Sequence, residues 1–379
     1  MENLFNYNWE LCKLSTEFEK VNERNDGSLG KEHWISVAKM YFQNPDKVQS
    51  NNIDTRTYVM RTGDIAFEGH PNKEFKFGRF VANDIGTGVV SELFPIYRHK
   101  QEYDNYYWKN AIQIERVMGP IFAKSITSSG NSSNKLDPNH FLRQQVFIPK
   151  LEEQKKIGLF LKKLDDTITL HQRKLDQLKE LKKAYLQVIF PAKDERVPKL
   201  RFADFEEEWE LRKLEDLANK YNNLRIPITA SKRIYGNTPY YGANGIQDFV
   251  EGYTHDGEFI LVAEDGASNL KDYPVQYVNG KVWVNNHAHV LQAKRSKADN
   301  KFLMNAIKSI NIEPFLVGGG RSKLNSEVMM NLEINTPSKD EQLKISTLCK
   351  QLDDITALYQ NKLNQLKNLK KSYLQNMFI

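Results

Sequence analysis

Ile148-Pro149-Lys150-Leu151-Glu152-Glu153-Gln154-Lys155-Lys156-Ile157 is written a second time near the end of the chain, as Thr336-Pro337-Ser338-Lys339-Asp340-Glu341-Gln342-Leu343-Lys344-Ile345. Pro149 and Pro337 stand 188 residues apart, and that spacing holds without a gap to Phe190 and Phe378. Leu164-Asp165-Asp166 returns as Leu352-Asp353-Asp354, and Lys182-Lys183-Ala184-Tyr185-Leu186-Gln187 as Lys370-Lys371-Ser372-Tyr373-Leu374-Gln375. About half of the paired positions are identical, so the chain is internally duplicated, and its architecture follows from the repeat.

Each copy reads as one long helix. Apolar residues fall at Ile157, Leu161, Leu164, Ile168, Leu175 and Leu178, with His171 filling the gap, and the second copy presents Ile345, Cys349, Leu352, Thr356, Tyr359, Leu363 and Leu366. Alternating steps of three and four make a coiled-coil seam flanked by Lys, Gln and Asp. About 40 residues at 1.5 Å each span roughly 60 Å. A narrow apolar seam on so long a helix needs a partner helix, and the other copy is the natural one. Two unrelated surface helices are the alternative.

The chain has 379 residues, too many for one core, and two or three domains are expected. A net charge of +6 and a pI near 8.9 are compatible with nucleic acid without requiring it. With 17 Tyr and 20 Phe the chain can build packed cores. Cys12 and Cys349 read as small core residues in a reducing compartment, not as a disulfide or metal pair. The first residues have neither the basic nor the apolar region of a leader, and no apolar run is long enough to span a membrane. A cytoplasmic protein with no membrane partner is expected.

Trp9-Glu10-Leu11-Cys12-Lys13-Leu14 and Trp209-Glu210-Leu211-Arg212-Lys213-Leu214 open two blocks 200 residues apart. The expected division is a mixed α/β domain over 1–148, a long helix over 149–190, a charged, proline-bounded linker over 191–208, a second α/β domain over 209–335 and a second long helix over 336–379. Strands are expected at Tyr58–Arg61, Ile65–Phe67, Phe259–Ala263 and Val282–Val284. Asp104 to Ile112 matches Asp299 to Ile307 as a shorter helix, and Gly130 with Lys135-Leu136 matches Gly318 with Lys323-Leu324. The fold class is α+β: two mixed α/β domains joined by a pair of long antiparallel coiled-coil helices with a pseudo-twofold axis.

Motifs for catalysis are sparse. There is no Asn/Asp-Pro-Pro-Tyr/Phe methylase signature and no phosphate loop. Gly86-Thr87-Gly88 reads as a turn. Asp64 with Glu74-Phe75-Lys76 loosely fits the spacing of metal-dependent nucleases. His287 and His289 share a strand face, but no further ligands complete a zinc set, so no metal site is expected.

The polar loops suit DNA better. Gly318-Gly319-Gly320-Arg321-Ser322-Lys323 brings backbone N–H groups and two cations to a phosphate. Asn244, in Tyr240-Tyr241-Gly242-Ala243-Asn244-Gly245, carries an amide able to bridge adenine. Lys73, Lys76 and Arg79 form a basic cluster in the first block. Candidate DNA contacts are therefore Lys73, Lys76, Arg79, Lys135, Tyr240, Tyr241, Asn244, Asn285, Asn286, His287, Arg321 and Lys323; a merely solvated role for each loop stays open.

Pro-x-x-x-Glu-Gln-x-x-Ile followed by Leu-Asp-Asp, present at Pro149 to Asp166 and again at Pro337 to Asp354, resembles the conserved region of the specificity (S) subunit of type I restriction-modification systems. Tyr240 to Gly245, Ala263-Glu264-Asp265-Gly266, Gly280 to Val290 and Gly320 to Asn325 resemble target recognition domains of that family. The resemblance covers essentially the whole chain. It implies two such domains, each reading one half of a split, asymmetric double-stranded DNA target at a distance set by the helix pair, of the order of one helical repeat, about 34 Å. It further implies a non-catalytic chain that recruits two methyltransferase (M) subunits and two motor-nuclease (R) subunits. S-adenosylmethionine, ATP and Mg²⁺ then belong to the partners, and this chain holds no cofactor. The first block departs from the pattern: it has few residues before Trp9 and no Tyr-Gly-Ala-Asn-Gly. Two rival classes are a stand-alone nuclease using Asp64 and Glu74, and a coiled-coil scaffold that binds only protein.

Overall fold

The computed structural model describes residues 9–49, 53, 56–129, 133–192, 194–319 and 322–378. Four helices frame the fold: α1 (Asn105–Ala111), α2 (Leu151–Ile189), α3 (Asn300–Ser309) and α4 (Lys339–Met377). The long helices α2 and α4 have 39 residues each, about 58 Å at 1.5 Å per residue. The chain divides into two compact units, Met1–Gln172 with Lys362–Ile379, and Arg173–Asn361. Both long helices are cut by that division, so each unit owns part of both.

The first unit is built on a four-stranded antiparallel sheet in the order Phe18–Val21, Ile96–His99, Ile65–Glu68, Arg79–Ala82. Glu10–Lys13 pairs separately with Gln145–Ile148, the strand that leads into α2. The core gathers Phe18, Ile65, Phe67, Phe80, Tyr97, Trp108, Phe122 and Phe141 from sheet and helices. The N-terminal half of α2 closes it with Ile157 and Leu161, and the end of α4 adds Met377 and Phe378. Each such side chain buried is worth about 1.5–3 kcal/mol.

The second unit repeats this frame and adds to it. Its six-stranded sheet runs Ala218–Lys220, Ala288–Ala293, His255–Ala263, Val275–Val284, Tyr235–Gly242, Gly245–Val250. The first four strands match the first unit's order, and the last two form an extra hairpin on the edge, joined in parallel through Tyr240 and Trp283. Glu210–Lys213 pairs with Glu333–Thr336 just as Glu10–Lys13 does with its partner. Both Trp-Glu-Leu openings are thus the strands that anchor a block to the root of its long helix.

The duplicated motif acquires a physical meaning here. Gln154 accepts the N–H of Asp104 at 3.2 Å and donates to the carbonyl of Pro149 at 3.1 Å. Gln342 does the same with Asp299 (3.0 Å) and Pro337 (3.0 Å), and also reaches the carbonyl of Lys297 at 3.2 Å. Asp104 and Asp299 cap α1 and α3. One buried amide therefore clamps the start of the block's helix to the first turn of the long helix. Gly158 keeps that approach open, since a Cβ there would lie 2.0 Å from Asp104 Oδ1. In the second copy Ser346 stands in its place, and its hydroxyl donates to Asp299 at 2.5 Å.

The motif's acid and base ends also meet. In the first unit Lys370 Nζ sits 2.6 Å from Asp165, which also accepts the Tyr106 hydroxyl at 2.7 Å. In the second unit Lys182 pairs with Asp353. The Leu-Asp-Asp of each copy thus meets the Lys-Lys of the other, which requires α2 and α4 to run antiparallel within each unit. The second Asp of each motif instead pairs along its own helix, with Lys162 and Lys350. Aromatic triads repeat as well: Phe378 against Trp9 and Tyr107, and Phe190 against Trp209 and Phe302. All twelve expected seam residues lie in α2 or α4. Ile157, Leu161, Leu164, Leu175, Ile345, Cys349 and Leu363 are buried, and Ile168, Leu178, Leu352, Tyr359 and Leu366 are half-buried.

The stretch expected as a linker is not a free tether. The Arg196 carbonyl accepts the Trp209 N–H at 3.0 Å, Leu200 N–H reaches the Val188 carbonyl at 2.9 Å, and Arg201 forms a two-pronged pair with buried Glu341 at 2.8 and 2.9 Å. In the first unit the matching Glu153 instead accepts the Trp9 indole N–H at 3.3 Å.

Candidate nucleic-acid interface

In the second unit the candidate loops converge on the end of the strand His255–Ala263. Glu264 follows that strand, and its side chain is 12% exposed. It accepts Arg225 at 2.6 Å and Lys323 at 2.8 Å. Its own N–H donates to the His287 carbonyl, and its carbonyl accepts the Leu324 N–H. Burial alone would raise the Glu264 pKa. The hydrogen bonds from Arg225 and Lys323 outweigh it and hold the carboxyl below its ordinary value. Beside it His289 is fully buried, and burial lowers its pKa, so the ring is neutral. Nε2 donates to the Leu324 carbonyl at 2.8 Å and Nδ1 accepts the Asn222 amide at 2.9 Å. Both ring nitrogens of His289 are thus engaged in hydrogen bonds. Among the described residues no cluster of His, Cys, Asp and Glu is placed to hold a metal.

His287 is half-buried, with Nδ1 at 2.6 Å from Asp265, and its N–H donates to Asn285 at 2.8 Å. Asn285 is buried, whereas Asn286 is exposed. Lys323 lies on the short hairpin Leu316–Val317 and Lys323–Leu324. Arg321 lies outside the described residues.

Two expectations change at the extra hairpin. Asn244 stands at its tip, before Gly245, whose φ of +113° suits glycine. The Asn244 amide is already taken at both ends, donating to the Gly266 carbonyl (2.9 Å) and accepting the Ser268 N–H (2.7 Å), so it braces the neighbouring loop. Tyr240 is 1% exposed, and its hydroxyl bridges the N–H and carbonyl of Ile228. It supports the hairpin from within instead of meeting a ligand. Tyr241 is half-buried against a cluster that includes Phe259, Leu261, Val278 and Val290. Ile246, Phe249 and Tyr235 of the hairpin are all exposed.

In the first unit Lys73 and Lys76 are exposed, and Lys135 is exposed on the hairpin Ile126–Ser129 and Asn134–Leu136. Asn134 ties the two loops, its N–H donating to the Gly69 carbonyl (2.8 Å) and its side chain to the Phe77 carbonyl (3.1 Å). These three lysines therefore stand on adjoining loops. Arg79 is committed inward, donating to the Ala38 carbonyl at 2.6 Å and stacking on Phe75. Glu68 ends the central strand beside His70 (2.8 Å) and Arg79 (3.5 Å), so each unit has a carboxylate with basic neighbours at this strand end. Gly130 lies outside the described residues. The nuclease pattern dissolves in this unit: Asp64 is buried, and Arg98 holds both its oxygens at 2.8 Å.

Arg225 is the residue of this cluster that the sequence did not single out, and Glu264 and Asp265 stood there only as letters of a resemblance. Nothing local in Ala263-Glu264-Asp265-Gly266 shows that Arg225 and Lys323 return to it.

A duplicated α/β frame, closed by paired long helices and carrying basic loops that differ between its copies, defines a two-headed binding scaffold. The family model for the type I restriction modification DNA specificity domain matches residues 83–180 and 206–368, and the chain belongs to that family. It is 46% identical over 153 residues to a provisionally named type I restriction enzyme specificity subunit of Haemophilus influenzae, a match covering 40% of this chain and 38% of that one. The MjaVIII specificity subunit of Methanocaldococcus jannaschii is 20% identical over 281 residues, 67% of this chain and 65% of that one. The chain thus spans well under half of the first of these relatives and about two thirds of the second. The crystal structure of a type I restriction-modification S subunit from M. genitalium superposes with a TM-score of 0.66 at 15% identity, over 100% of this chain and 98% of that one. A structure from a study of type I complex assembly and conformational transition gives 0.56 at 16% identity, over 97% and 96%. These structural likenesses establish the fold.

Proposed function

We propose that this chain is the DNA-choosing, non-catalytic subunit of a type I restriction-modification complex, reading a split, asymmetric target with one half assigned to each unit. The observation that carries this reading is one frame used twice with different loops. Both units keep the four-stranded core, the Gln clamp and the Lys–Asp pair, yet among the described residues only the second has the Tyr235–Val250 hairpin. Shared parts suit assembly, and unshared parts suit selection of unlike half-sites. Exposed Lys73, Lys76, Lys135 and Lys323 supply phosphate contacts that set register, while Asn286, His287 and the outward side chains of the hairpin are candidates for base edges.

Two methyltransferase subunits and two motor-nuclease subunits are the proposed partners, in the cytoplasm, with S-adenosylmethionine, ATP and Mg²⁺ bound by them. Leu170, Leu181, Leu358 and Leu369 stay exposed on α2 and α4 and offer apolar surface for those partners. No helix among the described residues is long and apolar enough to cross a membrane. The spacer between half-sites is proposed to be set by α2 and α4, since each contributes to both units. Mapping methylated adenines in DNA from cells expressing this chain with its methyltransferase tests the reading: a two-part asymmetric motif with a fixed gap is expected. A single continuous motif, or a palindromic one, would overturn it.

A further inference from the structure

Lys323 faces solvent with its side chain 46% exposed, but its ammonium rests on Glu264 at 2.8 Å. Arg225 lies on the other oxygen of the same carboxylate at 2.6 Å and is fixed further by the carbonyls of Ala288 (2.9 Å) and Asn222 (3.0 Å). Both Glu264 oxygens are therefore occupied, so the carboxylate is a poor acceptor for a base edge. It also lowers the charge that this loop cluster shows to a phosphate, since Glu264 and the neighbouring Asp265 stand against Arg225 and Lys323.

We propose that Glu264 is a positioning and specificity-determining residue: it holds Lys323 and the 323–324 strand in register with the 285–289 segment and restrains that lysine from binding DNA of arbitrary sequence. This rests on the DNA-reading function proposed above. Non-specific affinity comes almost wholly from phosphate contacts and their released counterions. A carboxylate beside this solvent-facing lysine competes with the phosphates of a duplex that makes no other contact. Only a duplex whose bases also engage the neighbouring loops offsets that competition. Glu264 thus acts through Lys323 and does not touch DNA itself.

The test uses the chain assembled with its methyltransferase subunits, a duplex carrying the target found by adenine mapping, and a duplex of scrambled sequence. Glu264→Gln is expected to bind the scrambled duplex more tightly, with a log–log salt slope steeper by about 0.9, one additional phosphate contact. Preference for the target falls accordingly. In a Lys323→Met background the same substitution is expected to leave the slope unchanged, a readout that a merely structural role would not produce. Unchanged slope and unchanged preference in Glu264→Gln overturn the inference. So does a loss of target affinity with scrambled binding unaltered, the pattern of a direct base contact. Should the Gln variant fail to assemble, Glu264→Asp keeps the charge but shortens the reach to Lys323. It is expected to show a smaller change in the same direction, and wild-type behaviour there also overturns the inference. A wild-type complex that does not prefer the mapped duplex removes the DNA-reading function and this inference with it. A discriminating wild type beside an equally discriminating Gln variant removes this inference alone.

Discussion

Replacing Gln342 by Leu removes the clamp between α3 and α4 while keeping similar volume. The lost amide makes three bonds to main chain, from Asp299 N–H at 3.0 Å and to the carbonyls of Pro337 at 3.0 Å and Lys297 at 3.2 Å. Gln342 is 1% exposed, so water has little access to replace it. At about 1 kcal/mol net per bond, with the freed Asp299 N–H left buried, the expected cost is about 3 kcal/mol. For a unit the size of residues 173–361 that is a fall in Tm of about 6–12 °C. Denaturant unfolding reads the energy. Hydrogen exchange reads its location, with the Lys301 and Phe302 amides, capped by Asp299, losing protection first. Gln351→Leu, at an exposed position of the same helix, serves as the control. A loss below about 1 kcal/mol, or one no larger than the control's, would refute a clamp that carries this much stability.

The Asp165–Lys370 pair in the first unit is about a quarter exposed on each side and should couple by about 0.5–1 kcal/mol. Asp165→Lys is expected to cost more than Lys370→Asp because it also strands the Tyr106 hydroxyl; the double swap should recover the coupling, less so at high salt, and a strictly additive cycle would contradict the pairing. Glu264 has a folded pKa below the ordinary carboxylate value, so its stabilisation is complete above the unfolded value, about 4.3, and is lost as pH falls through the folded one. The stability gap between wild type and Glu264→Gln should therefore be widest near neutrality and close in acid; a gap that is constant down to the acid limb would count against the ionised pair.

The long helices were legible because their constraint is periodic: a seam repeating every three and four residues, written twice, admits one structure. Strand ends at Ile65 and Ala263 were legible for the same reason, through short apolar runs stopped by Gly and acidic residues. Gln154 and Gln342 stood out only as letters of a repeat. Their role depends on the start of a helix some 45 residues earlier, and no local pattern reports such a contact. Asn244 and Tyr240 were misread because a glycine-flanked turn implies an open tip, whereas the tip is braced by Gly266 and Ser268 and its root by Ile228. Glu264 stood in the sequence only as a letter of the resemblance at Ala263-Glu264-Asp265-Gly266. Only the folded chain shows two cations closing over it.

The central claim is that a duplicated frame presents two unlike readers whose separation is set by α2 and α4. Adding one heptad to each helix, beside Leu170 and beside Leu358, keeps the seam in phase and lengthens the pair by about 10.5 Å, roughly three base pairs. Adenine mapping on cells carrying that variant is expected to show both half-sites unchanged and the gap between them longer. Altered half-sites with the original gap would contradict it.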